Sequence, residues 1–94
     1  MSTFILLGKY TSEALKGISA KRTEKATRLI QKYGGQVKTM YALLGNFDLA
    51  LIVDFPGMNE ALQTSVALSQ LTGIGFTTYP AISVEEFDKL VSAR

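Results

Sequence analysis

One stretch limits the possible folds of this chain more than any other: Phe47-Asp48-Leu49-Ala50-Leu51-Ile52-Val53-Asp54-Phe55. Successive side chains of a strand point to opposite faces. Phe47, Leu49, Leu51, Val53 and Phe55 therefore share one face, all large and apolar. Asp48, Ala50, Ile52 and Asp54 share the other, and its middle is apolar as well. A strand with one wet face carries polar residues at every second position, so this one is partly covered on both sides.

The run before it, Val37 to Leu44, reads as its hairpin partner, with Gly45-Asn46 as a two-residue turn. That register sets Leu44 against Phe47, Leu43 against Asp48, Tyr41 against Ala50 and Thr39 against Ile52. One face of the pair then holds Met40, Ala42, Leu44, Phe47, Leu49, Leu51 and Val53, which suits a helix-covered core. The other holds Val37, Thr39, Tyr41, Leu43, Asp48, Ala50, Ile52 and Asp54. This mixed face suits an interface or a cavity better than open water, and Val37, Thr39, Tyr41 and Ile52 are the expected dimer contacts.

The remaining elements follow from periodicity and punctuation. Thr3 to Tyr10 is expected to be a strand, since Phe4-Ile5-Leu6-Leu7 is apolar on both faces. Thr11 or Ser12 caps a short helix with Ala14, Leu15 and Ile18 inward. Gly17 and Ser19 predict a break near Lys16 to Ala20, and a longer helix then runs to about Tyr33 on Ala26, Leu29, Ile30 and Tyr33. Gly34-Gly35 ends it. Pro56-Gly57 turns the chain into a second long helix, capped by Asn59 and ending near Thr72-Gly73. Its expected inward face is Leu62, Val66, Leu68, Ser69 and Leu71, and its outward face Gln63, Thr64, Ala67 and Gln70. An uncharged outward face invites a second subunit contact. Ile74 to Ala81 reads as an edge strand. Ser83-Val84-Glu85-Glu86 is a capping box that opens a last helix with Phe87, Leu90 and Val91 inward.

Strand, helix, strand, strand, helix, strand is the ferredoxin-like order, an α+β fold in which both helices cover one side of a four-stranded antiparallel sheet. The 94 residues suit a single domain spanning 1–94 with a modest core. Yet 47% of them are apolar and 19% charged, so apolar surface is left over for a second copy to cover. A homodimer joined through the bare sheet faces is expected, or a larger homo-oligomer using the second helix too.

Composition also excludes chemistry. There is no cysteine, histidine or tryptophan, so neither thiolate nor imidazole is on hand as base, nucleophile or metal ligand, and no metal or cofactor is expected. A net charge of +2 and the lack of aromatics among the basic residues give no reason to expect nucleic acid. Lys21, Lys25, Arg28 and Lys32, with Arg22 beside them, stripe one side of the first long helix; the stripe suits either a solvated face or an anionic partner. No signal peptide or membrane span is read, and the expected location is the cytoplasm.

The candidate ligand-binding residues are Asp48, Tyr41, Tyr10, Lys9, Asn46 and Tyr79. Asp48 at a strand start could hold a ligand or act as a base; equally, its carboxylate could bind turn amides. The tyrosines could line a pocket or simply pack, and Lys9 could partner Asp48 or stay solvated.

Leu7-Gly8-Lys9-Tyr10-Thr11, Gly34-Gly35, Gly45-Asn46-Phe47-Asp48 and the Thr77-Thr78 region occur in an order that resembles the GYD-domain proteins. The stretch that names that family, Gly-x-Tyr-Asp, reads Gly-Asn-Phe-Asp here, so no role at position 47 can use a phenol. The resemblance implies a dimeric α+β barrel, a group that includes cofactor-free monooxygenases, haem-degrading and chlorite-dismutase-like enzymes, and the effector domains of leucine-responsive regulators. Fold alone does not choose among these. The preferred expectation is a homo-oligomeric module that binds a small molecule or a protein and has no catalytic constellation. The alternative is a cofactor-independent monooxygenase or isomerase. A cavity of roughly 300 Å³ or more, with Asp48 or a tyrosine turned inward, would favour ligand binding or catalysis.

Overall fold

A computed structural model describes residues 1–92. The elements run β1 (Ser2–Lys9), α1 (Ser12–Lys16), α2 (Ala20–Lys32), β2 (Gln36–Ala42), β3 (Leu49–Phe55), α3 (Met58–Thr72), β4 (Gly75–Ala81) and α4 (Val84–Ser92). The sheet order is β2-β3-β1-β4, and every neighbouring pair is antiparallel. This is the ferredoxin-like α+β arrangement, with the two doubly apolar strands, β1 and β3, at its centre.

Alternation along these strands sorts the side chains. Phe4 and Leu6 of β1 and Leu51, Val53 and Phe55 of β3 lie under the helices, where Ile30 of α2 and Ala61 and Leu68 of α3 complete the core. Phe4 and Phe55 meet edge to face at 5.7 Å between ring centres. The other side carries Ile5 and Leu7, flanked across the strands by Ile52 and Tyr79 and by Ala50 and Thr77. No helix covers it.

Several local expectations are corrected. Tyr41 does pair with Ala50 and Thr39 with Ile52, but the strands stop at Ala42 and Leu49. The turn is thus a six-residue loop, and Leu44, expected in the core, is fully exposed. A bulge between Val37 and Thr39 shifts the register, so that Val37 pairs with Val53 and joins the core. The extra residue moves Val37 to the helix side and removes it from the expected interface row. In α1, only Ala14 is buried, while Leu15 and the following Ile18 are exposed. Gly57 rather than Asn59 caps α3.

The face of α3 is turned from the expected one. Ala61, Thr64 and Leu68 point inward, and Leu62, Val66 and Leu71 are exposed. The sheet beneath already carries bulky Phe4, Leu51 and Phe55, so small residues at 61 and 64 let the helix lie close. Ser65 fixes this rotation through a 2.9 Å hydroxyl contact with Thr78 of β4. Ser83 caps α4 as expected, accepting from the Glu86 N–H at 3.1 Å. No residue of α4 is buried, however, and Phe87, Leu90 and Val91 are open.

The molecule measures 49 × 30 × 18 Å. The shortest dimension fits one sheet and one helix layer and leaves no third. The chain exposes 6333 Å²; a self-contained protein of 10.2 kDa exposes about 5,300 Å².

Candidate functional site

A cavity opens where β1 and β2 end, β3 and β4 begin, α2 starts and α3 finishes. Each of these termini follows from a local signal. Thr11 opens the first crossover and caps α1, its hydroxyl accepting from the Ala14 N–H at 3.0 Å. Gly17 closes α1, and Ser19 caps α2 by accepting from the Arg22 N–H at 3.0 Å. Gly73 ends α3 in the left-handed conformation, φ 75°.

The cavity holds about 190 Å³, with a floor of Met40, Ala42, Leu49, Leu51 and Phe76 from the sheet. Ala26 and Leu68 wall it from α2 and α3, Ile18 and Ile74 close the ends, and Tyr10, Tyr41, Arg22, Thr23 and Thr72 supply its polar atoms. Thr72 is already engaged, donating to the Leu68 carbonyl at 2.7 Å and accepting from the Ile74 N–H at 3.1 Å. Thr23 donates to the Ser19 carbonyl. Among the described residues of the lining, Arg22 brings the only formal charge. Its guanidinium lies 5.7 Å from the centre of the Tyr10 ring, and its Nη1 donates to the Ala14 carbonyl.

The sequence-derived candidates divide into three groups. Tyr10 and Tyr41 line the cavity. Asp48, Lys9 and Asn46 instead fasten the 43–48 loop to the end of β1. The Asp48 N–H donates to the Gly8 carbonyl at 2.8 Å, and Asp48 Oδ2 accepts from the Tyr10 N–H at 2.8 Å. Lys9 Nζ donates to the Asn46 carbonyl at 2.9 Å. The Asp48 carboxylate thus binds backbone, the quieter of its two readings. Tyr79 stands on the bare sheet face beside Ile5, away from the cavity. Thr39, Tyr41 and Ile52 occupy the same bare face, with Tyr41 at its β2 edge.

Arg22 was passed over as an appendage of the basic stripe. Helical spacing puts it on the inward row with Ala26, Ile30 and Tyr33, a cation on an otherwise apolar line. The stripe itself is solvent-facing, and Arg28 pairs with Glu24 at 2.8 Å. No group of three or more His, Cys, Asp or Glu side chains comes together among the described residues.

The family model of the GYD domain matches residues 4–91. The chain belongs to the GYD domain family. No curated protein matches it. In this GYD domain the Gly-Asn-Phe-Asp stretch builds the loop that seats Tyr10. Phe47 is half-buried there, and the backbone bonds around Asp48 need no hydroxyl at 47. No helix among the described residues is long and apolar enough to cross a membrane.

Proposed function

We propose that this GYD domain is a homo-oligomeric module that binds a small molecule in the cavity between its sheet and helices. The cavity carries this reading. It is apolar, it is built from six termini rather than left over between them, and its lining contains no aspartate, glutamate or lysine. That lining suits binding by shape and desolvation better than proton transfer. At about 190 Å³ it falls short of the roughly 300 Å³ set above as favouring ligand binding or catalysis, so this reading is confined to a correspondingly small ligand. The alternative, a cofactor-independent monooxygenase or isomerase, draws on the phenol of Tyr10.

Self-association rests on surface area. The excess of about 1,000 Å² over a self-contained chain is close to the roughly 800 Å² that each partner buries in a stable complex. The bare sheet face offers Ile5, Leu7, Ala50, Ile52 and Tyr79 for that purpose. A second copy applied sheet to sheet is the occupant with a matching shape, and the absence of cysteine suits a reducing cytoplasm.

Native mass spectrometry of the protein as purified tests both halves. The expected spectrum is a dimer or a multiple of it, with a small adduct that Ala26→Leu removes without unfolding the protein. A monomer at micromolar concentration overturns the association. Failure of every small apolar compound to bind overturns the cavity's role.

A further inference from the structure

Resting on the cavity reading above, we propose that the ligand is a small organic monoanion, a single-ring or branched carboxylate, whose charged end meets Arg22 and Tyr10. Among the described residues, the cavity lining carries one formal charge, a cation, and no acidic side chain. Among the described residues, no carboxylate comes within ion-pair distance of Arg22, whereas Arg28, Lys38 and Lys89 each have one. The first turn of α2 likewise lacks an acid. A guanidinium has five N–H donors in a fixed fork. One nitrogen of Arg22 is spent on the Ala14 carbonyl, and the Tyr10 ring holds the plane in position.

The other polar groups of the lining narrow the chemistry. The Thr23 and Thr72 hydroxyls are committed to backbone carbonyls, which leaves Arg22 and Tyr10 to face a ligand. Guanidinium and phenol both donate hydrogen bonds, and together they match a carboxylate. The walls opposite, Leu49, Leu51, Leu68 and Phe76, offer nothing to a second charge. A dianion would leave one carboxylate buried and unpaired, at a large desolvation cost. A cavity of roughly 150 Å³ accepts a benzene ring, so one ring with a short acidic substituent fits about 190 Å³.

Titration of the full-length chain by ¹H–¹⁵N NMR, with benzoate, benzyl alcohol and benzylamine as probes, tests this. Benzoate should bind roughly tenfold to a hundredfold more tightly than benzyl alcohol, with shifts at Tyr10, Arg22 and Ala26, and benzylamine should not bind. Arg22→Gln should abolish the preference for benzoate over benzyl alcohol. Equal affinity for benzoate and benzyl alcohol, or a preference that survives Arg22→Gln, overturns the anion and leaves the cavity's role standing. Binding of none of the probes overturns both. Loss of Arg22 also removes a bond between α1 and α2, so the wild-type protein supplies an independent measurement. Its benzoate affinity should fall between low and molar salt while its benzyl alcohol affinity holds, and salt-independent benzoate binding counts against the proposal.

Discussion

Ile52→Lys separates the two faces of the sheet most sharply. Ile52 lies on the uncovered face, in a row with Thr39 on one side and Ile5 and Tyr79 on the other. Within a single subunit it is already half open, so a lysine there keeps its ammonium in water and its stem along the sheet. Between two subunits the effect is much larger. Full burial of an isoleucine is worth about 1.5–3 kcal/mol; if half of that is gained at the interface, each copy loses about 1 kcal/mol. In the proposed sheet-to-sheet dimer a two-fold axis would count the loss twice and desolvate two ammonium groups. A total of about 3–6 kcal/mol raises the dimer dissociation constant roughly a hundredfold to ten-thousandfold. Sedimentation equilibrium over a range of concentrations measures the constant, and circular dichroism checks that the monomer stays folded. Val66→Lys, on the exposed side of α3, is the comparison and should leave the dimer constant unchanged. A dimer constant for Ile52→Lys within threefold of wild type would refute the sheet-to-sheet assignment.

Other outcomes follow from single contacts. Asp48→Ala leaves the Tyr10 N–H without its acceptor and should cost about 1–3 kcal/mol in urea unfolding; Asp48→Asn keeps an acceptor and should cost less. Thr64 has a fully buried hydroxyl without a partner, so Thr64→Val should stabilise by about 1 kcal/mol and raise the melting temperature by several degrees. Asp54 accepts from the Thr3 hydroxyl at 2.7 Å, with Lys38 Nζ 3.5 Å away, and these contacts hold its carboxyl below the usual range, the hydroxyl first and the ammonium second. A lowered folded-state pKa gives stability that is fully present above the unfolded value, about pH 4, and lost as pH falls through the folded value. Asp54→Asn should therefore flatten the acid limb of a stability-against-pH curve measured below about pH 4, and an unchanged limb would exclude the contribution.

Much of the fold was legible because two strands are apolar on both faces. That property needs a central place in the sheet, and β1 and β3 are its central pair. Helix boundaries were legible where glycine or a hydroxyl marks them, at Thr11, Ser19 and Gly73. What was lost depended on neighbours. The bulge at Lys38 leaves no mark in a local pattern, yet it carries Val37 from one face to the other. For α3, the expected buried row of Leu62, Val66, Leu68, Ser69 and Leu71 holds at Leu68, whereas the bulk of the sheet decided for Ala61 and Thr64 beside it. Asp48 looked like chemistry because carboxylates at strand starts can be either reactive or structural; only the Tyr10 N–H at 2.8 Å separates the two. Arg22 was within reach of periodicity alone, since it falls on the row of Ala26 and Ile30. Grouping it with nearby lysines by sign of charge hid it.

Cavity and bare face share the same strands, and this bears on how association and binding relate. Along β3, Leu49 and Leu51 floor the cavity while Ala50 and Ile52 face away from it. Along β2, Met40 and Ala42 line the cavity while Thr39 and Tyr41 belong to the other row. β2 is an edge strand with one hydrogen-bonded neighbour, a bulge near its start and a six-residue loop at its end. By itself such a strand is among the first elements to open. A twin packed on its outer row would hold it against β3 and so fix the cavity floor without touching a ligand. On the proposed reading, binding and self-association would be linked through β2, each favouring the other by the same factor.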